Sequence, residues 1–193
     1  MRIISGRFRG RRLRGPRGMG LRPTADRLKE SLFNILGAGI NGAVVLDVFA
    51  GTGSIGLEAI SRGARDVVFI ESDREAAQLI LKNAGLCGVT SGYRILHGDV
   101  FAMLREQART GLTADIVFLD PPYRWGPYRD LLEILARTGI ATAESRVVLE
   151  HHSKAPVPES GDGFLRVRLV RQSDKCLSFY RIGAGPATDG GDL

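Results

Sequence analysis

Cysteine is scarce in this chain: only Cys87 and Cys176 occur in 193 residues, and they stand far apart. They show neither metal-ligand spacing nor a disulfide framework, so both thiols are expected to be free. No apolar run approaches the roughly 20 residues a membrane span needs. The start is basic, but no apolar signal-peptide core follows it. These absences together point to a soluble cytoplasmic protein without a membrane partner. Among the three histidines, His151 and His152 are adjacent. On an extended chain they point to opposite faces, so no metal site is expected. Lysine and acid are both missing from residues 1–22, which instead hold eight arginines.

That last asymmetry locates the charge. The formal net charge is +6, yet without the first 22 residues 19 basic residues face 21 acidic ones. The basic character therefore sits in one segment, and a concentrated arginine cluster is the electrostatic footprint of a nucleic-acid binder. The plainer alternative is a solubilising or membrane-surface tail. Arg2, Arg7, Arg9, Arg11, Arg12, Arg22 and Arg27 are the candidate phosphate contacts. Ile3, Ile4, Phe8 and Leu13 lie among them and can anchor short strands. Hydrophobic residues at 44% and charged residues at 25% suit one globular domain. The organisation expected is a basic extension over 1–22, a main domain over 23–182 and a loose tail over 183–193.

Within the main domain, Leu28, Leu32, Ile35 and Leu36 recur at helical spacing after Pro23 and a candidate N-cap, Thr24. Short apolar runs follow at 44–49, 67–71, 93–96, 116–120 and 147–150, separated by helical stretches near 54–61, 75–83, 101–109 and 128–137. Continuous apolar strands alternating with helices predict a parallel sheet covered on both faces. Two alternating runs, 164–170 and 176–180, flank the turn Gln172-Ser173-Asp174 and predict a closing antiparallel hairpin.

The segment from Leu46 to Gly56 joins the first strand to its helix. Gly51, Gly53 and Gly56 fit the dinucleotide fingerprint, and Glu71 lies about where its ribose-binding acid belongs. Taken alone, the loop admits a nicotinamide or flavin cofactor as well as S-adenosylmethionine. Asp47, inside the strand end, separates them. A carboxylate there would repel a pyrophosphate, but it suits a ligand carrying an ammonium and a sulfonium. A helix-capping or bracing role is the plainer alternative for Asp47. The candidate cofactor contacts are Asp47, Phe49, Gly51, Thr52 and Gly53, then Glu71 and Ser72 after the second strand. Asp99 and Val100 after the third strand complete the set, though Asp99 equally suits a helix cap.

Asp120-Pro121-Pro122-Tyr123 follows the fourth strand at the same sheet edge. An amino nitrogen conjugated to a base is a poor nucleophile, because its lone pair is delocalised into the ring. Two acceptors aimed at its N–H bonds favour the tetrahedral geometry needed for attack on a methyl group. The Asp120 side chain and the Pro121 carbonyl can supply them, while Tyr123 can stack on the base. Such chemistry needs the base flipped or already single-stranded. Trp125 can line the base pocket or simply pack under the loop.

With these motifs the chain resembles the RsmD family of bacterial small-subunit (16S) ribosomal RNA guanine-N2 methyltransferases. The likeness runs through Arg2-Ile3-Ile4-Ser5-Gly6, Arg9-Gly10-Arg11-Arg12-Leu13 and Leu21-Arg22-Pro23-Thr24-Ala25-Asp26-Arg27. It continues through the glycine loop, Ile70-Glu71-Ser72-Asp73 and Asp-Pro-Pro-Tyr. The resemblance implies a class I methyltransferase fold (Rossmann-like α/β) and S-adenosylmethionine as donor, with S-adenosylhomocysteine as product. It also implies a guanine in a hairpin loop of ribosomal RNA as target, within the small subunit or its assembly intermediate. A monomer is expected. Competing readings are an adenine-N6 methyltransferase, a nicotinamide-dependent oxidoreductase and a non-catalytic RNA-binding assembly factor.

Overall fold

The computed structural model describes residues 1–15, 23–122 and 125–183, with side chains in the first helix described from Arg27 onward. Arg22, Tyr123 and all but the first residue of the expected tail lie outside the described residues.

The chain alternates strand and helix as its apolar pattern predicts. Helix α1 (Pro23–Leu36) leads through a 3-10 turn to β1 (Val44–Val48) and α2 (Ser54–Ser61). Next come β2 (Asp66–Glu71), α3 (Arg74–Cys87), β3 (Tyr93–His97) and α4 (Val100–Arg109). After these stand β4 (Ile116–Leu119), α5 (Tyr128–Thr138) and β5 (Arg146–His152). Strands β6 (Ser160–Gly161), β7 (Phe164–Gln172) and β8 (Lys175–Ile182) end the described chain. Helix α1 starts at Pro23, one residue ahead of the expected cap at Thr24, and proline suits a first helical turn.

One sheet runs β3-β2-β1-β4-β5-β8-β7-β6. The first five strands are parallel, and β8, β7 and β6 join antiparallel. Strand order reverses between β1 and β4, the switch point at which open α/β sheets bind ligands. The two-residue β6 is too short for any sequence periodicity to reveal.

Alternate side chains supply two cores, one on each face. Val45, Phe69, Phe118 and Val148 face α1, α2 and α3, together with Leu28, Leu32 and Leu57. Leu46, Val68, Val117 and Leu149 face α4 and α5, together with Leu104, Leu131 and Leu135. Gly56 lets α2 approach the sheet: a Cβ there would lie 2.2 Å from a Phe69 ring carbon. This fingerprint glycine therefore serves helix–sheet packing.

The described part of the basic segment packs on the same body. Ile3 and Leu13 are buried in the first core, and antiparallel bonds fold the arm back on itself (Ile3 N–H to Arg11 C=O, 2.9 Å; Leu13 N–H to Met1 C=O, 3.1 Å). Glu58, wholly buried, accepts the Ile4 and Ser5 N–H groups at 2.7 and 2.9 Å. Its charge is balanced by Arg62 at 2.9 Å and Lys29 at 3.3 Å. Gly6 is required here, because a Cβ would sit 1.9 Å from the Ser61 carbonyl oxygen. Arg2, Arg7, Arg9, Arg11, Arg12 and Arg14 are all left exposed.

Candidate active site

Strand parity gathers the site. Val45, Phe118, Val148 and Leu177 belong to the core facing α1. Asp47, Asp120, Glu150 and Lys175 each lie two residues from one of them, and so project from the same face. Their strands, β1, β4, β5 and β8, are consecutive in the sheet. Because β8 runs antiparallel, its first residue, Lys175, stands at the edge where β1, β4 and β5 end. All four line one cavity of about 160 Å³, together with Leu28 and Lys29 of α1 and Met1 of the arm.

Asp47 is 2% exposed, and its Oδ2 accepts the Gly56 N–H at 2.9 Å. The N-cap of α2 is Gly53, which has no side chain to offer; Asp47 substitutes from the neighbouring strand. It thus performs the bracing role and also faces the cavity. Burial pushes its carboxyl up to about 7, against the pull of the Gly56 bond, and the Glu71 charge adds to the rise.

Asp120 extends the β4 ladder, its N–H reaching the Val48 carbonyl at 3.3 Å, and is exposed at the cavity. Displacement of bulk water by the surrounding protein, and then the Glu150 charge, push its carboxyl up to about 8; Lys175 pulls it down and Asp47 adds slightly. Water still reaches the residue, so screening tempers this in solution. Glu150 pairs with Lys175. Asp47 and Asp120, both raised, ionise more readily when a cation enters the cavity, whereas an anion such as phosphate would hold them protonated. Of the neighbouring prolines, Pro121 is buried and Pro122 exposed. The Pro122 carbonyl accepts the Trp125 N–H at 2.8 Å.

The remaining candidates divide. Phe49 lines the cavity with the left-handed φ of +61°, a backbone strain of about 1–3 kcal/mol for a non-glycine residue. Its ring meets Trp125 at 5.2 Å, and Trp125 stacks on Phe101 at 6.0 Å. Trp125 therefore packs among Phe49, Phe101 and Tyr128. Gly51 and Thr52 also line the cavity. Glu71 stands outside it and bolts the loop: Oε2 accepts the Gly51 N–H at 2.7 Å and Oε1 the Asp73 N–H at 2.8 Å. Each of those oxygens keeps a second lone pair for a ligand hydroxyl. The Ser72 carbonyl lies 3.1 Å from His97 Nε2. Asp99 caps α4 through the Ala102 N–H at 2.9 Å, and Val100 is buried as the first residue of that helix.

Glu150, Lys175, Lys29 and Asn83 escaped the sequence reading. Glu150 closes the apolar run of β5 as Asp120 closes that of β4, so the strand-end rule applied to β5 finds it. Lys175 carries no such signal, because its position depends on how β8 pairs.

An open sheet with its switch point at a glycine loop, closed by an antiparallel hairpin, is the fold of the class I S-adenosylmethionine-dependent methyltransferases. A methyltransferase of that dependence from Agrobacterium tumefaciens shares it with TM-score 0.61 at 19% identity, covering 90% of this chain and 66% of that one. The Escherichia coli protein yhhF, solved as a candidate methyltransferase, is much nearer. It has TM-score 0.80 and 34% identity, covering 96% of this chain and 99% of that one. In sequence, ribosomal RNA small subunit methyltransferase D of Escherichia coli strain K12 is 38% identical over 158 residues, 82% of this chain and 78% of that protein. Its Haemophilus influenzae namesake is 34% identical over 184 residues, 94% and 92% of the two chains. The family model described as conserved hypothetical protein 95 matches residues 1–181. The chain belongs to that family, the RsmD family its motifs resemble.

Proposed function

We propose that this protein transfers a methyl group from S-adenosylmethionine to the N2 amino group of a guanine in small-subunit ribosomal RNA. The observation that carries the reading is that Asp47 and Asp120 open into one cavity. The first is the acid of the glycine loop and the second heads the Asp-Pro-Pro string. The names of the relatives support ribosomal RNA as the polymer, and the resemblance supports guanine N2 as the target.

The residues fit the cofactor. Asp47 is buried and its carboxyl is raised, so a ligand ammonium beside it would be held and would restore its charge. At about 160 Å³ the cavity is smaller than the roughly 300 Å³ of a typical small-molecule pocket. Its Asp47 end suits the charged amino-acid end of the ligand, with the nucleoside held outside the cavity near Glu71, Asp99 and Val100. When bound, S-adenosylmethionine supplies an electrophilic methyl group on a cationic sulfur. Asp120 and the Pro121 carbonyl hold the two N–H bonds of the target amino group, and Asp120 passes the released proton to water. The exposed arginines of the arm meet phosphates. We place the protein in the cytoplasm, acting as a monomer on the small subunit or its assembly intermediate.

Nucleoside mass spectrometry of ribosomal RNA from a deletion strain tests the reading: loss of one N2-methylguanosine, restored by the wild-type gene, is expected. An unchanged N2-methylguanosine content would refute it. Methyl transfer to small subunits compared with naked RNA identifies the substrate form.

A further inference from the structure

We propose that Glu150 and Lys175 act with Asp120 to read the hydrogen-bonding edge of the target base, making the cavity selective for guanine. The proposal rests on the reading of this site as an amino-group methyltransferase. Enzymes that modify an extruded base recognise it through that edge. Guanine presents three groups in order: the 2-amino donor, the N1–H donor and the O6 acceptor. Adenine follows its amino group with a bare ring nitrogen, as cytosine does.

The sheet sets out the complement. Asp120 follows β4, Glu150 ends the apolar run of β5, and Lys175 opens β8, with β4, β5 and β8 in that order across the sheet. Their groups run carboxylate, carboxylate, ammonium along one side of one cavity. This is acceptor, acceptor, donor, against the donor, donor, acceptor of guanine. Opposite adenine or cytosine, the Glu150 carboxylate would meet a lone pair and repel it.

Two observations favour a role at the base over a purely structural one. Glu150 is only 9% exposed, and its partner Lys175 lies beside it at the cavity. The Lys175 side chain is 38% exposed, and a pair screened in this way adds at most about 1 kcal/mol to stability, so its presence at the cavity calls for another use. The pair also lies on the far side of Asp120 from Asp47, and hence away from the end of the cavity assigned to the cofactor.

The test uses small subunits reassembled around RNA that carries either guanosine or 2,6-diaminopurine riboside at the methylated position. The analogue keeps the 2-amino group but replaces N1–H by a lone pair and O6 by an amino donor. Wild-type enzyme should favour guanosine by about 100-fold or more in kcat/KM, as a site built on paired polar groups does. Glu150→Gln offers a donor where only an acceptor stood, and Lys175→Met removes the O6 donor. Each should narrow the preference at least about tenfold, largely through a higher KM for guanosine. S-adenosylhomocysteine binding, measured by calorimetry, should stay within about threefold of wild type.

Two folded variants with the wild-type preference would overturn the proposal and leave the methyltransferase reading intact. So would loss of S-adenosylhomocysteine binding in both, since the pair would then serve the cofactor. Absence of any N2-methylguanosine from wild-type enzyme would instead remove the functional reading, and the proposal with it.

Discussion

Asn83 grips the backbone of Arg14 with both ends of its amide: Oδ1 accepts the Arg14 N–H at 2.8 Å, and Nδ2 donates to the Arg14 carbonyl at 3.0 Å. The same Nδ2 donates to the Thr52 carbonyl at 2.9 Å. One wholly buried side chain thus ties the basic arm to the glycine loop. Asn83→Ala would leave these backbone groups to find new partners, at about 1–3 kcal/mol for each one stranded. Urea unfolding should show a loss on the order of 2–4 kcal/mol. Hydrogen exchange should show faster opening at Arg14 and near Thr52 together. Faster exchange at only one of the two would show that they are not coupled through Asn83.

Asp47 makes stability depend on pH. Its carboxyl is raised from the ordinary 3.8 to about 7 in the folded protein. Between those values the unfolded chain has lost the proton while the folded chain retains it. Stability from this group is therefore full below about pH 4 and declines as pH rises to about 7, at about 1.4 kcal/mol per pH unit in the ideal case. Asp47→Asn keeps an acceptor for Gly56 and removes the charge. Free of cofactor, the variant should be more stable than wild type at pH 8, and it should bind S-adenosylhomocysteine at least about tenfold more weakly. Chemical denaturation across pH 5–8 and calorimetry, in parallel, measure both. A variant equally stable at every pH would show that the wild-type residue does not carry this buried charge.

Asp120 separates chemistry from binding. Asp120→Ala should reduce methyl transfer at least about 100-fold while S-adenosylhomocysteine and RNA binding stay close to wild type. Only the ionised carboxylate is a full acceptor, so wild-type activity should rise with pH toward about 8 at low cofactor concentration. Saturating cofactor, whose positive charge favours ionisation, should move that rise to lower pH. Asp120→Asn should flatten it. Single-turnover rates across pH check each point, and undiminished transfer by Asp120→Ala would dismiss Asp120 as the acceptor.

The exposed arginines make a separate prediction. Arg7 lies over the Phe8 ring at 4.5 Å, and Arg11 donates to the Leu86 carbonyl at 3.0 Å. Both remain exposed, as do Arg9 and Arg12. Replacing all four with alanine should weaken RNA binding and flatten its salt dependence, by about 0.7 in log–log slope for each phosphate contact to single-stranded RNA that is lost. Arg9→Ala and Arg12→Ala alone, which leave the two recorded arm contacts in place, separate charge from packing. Titrations at several salt concentrations that show one common slope would make the arginines a solvated surface.

Most of the fold was legible because parallel strands buried on both faces must be apolar at successive positions. The runs 44–49, 67–71 and 147–150 could therefore be read directly, and β1, β2 and β5 occupy them. The Asp-Pro-Pro string and the glycine loop were legible for a related reason: rigid or permissive backbone after a strand demands particular residues. Asp99 was ambiguous, since one residue type serves both as helix cap and as ligand acceptor. In this structure its side chain caps α4.

The sequence by itself determined the order of the main strands and helices (all but the two-residue β6), the end of the sheet that carries the chemistry, and the concentration of positive charge in the first 22 residues. Residue types and spacings encode these locally. Only the tertiary structure decided that β8 returns beside β5 and brings Lys175 to Glu150. It also decided that the arm docks through its backbone N–H groups on Glu58. Every residue but proline carries such a donor, so its partner leaves no mark in the sequence. Long-range strand pairing is likewise set by which faces must be buried together, and that appears only when the whole sheet is assembled.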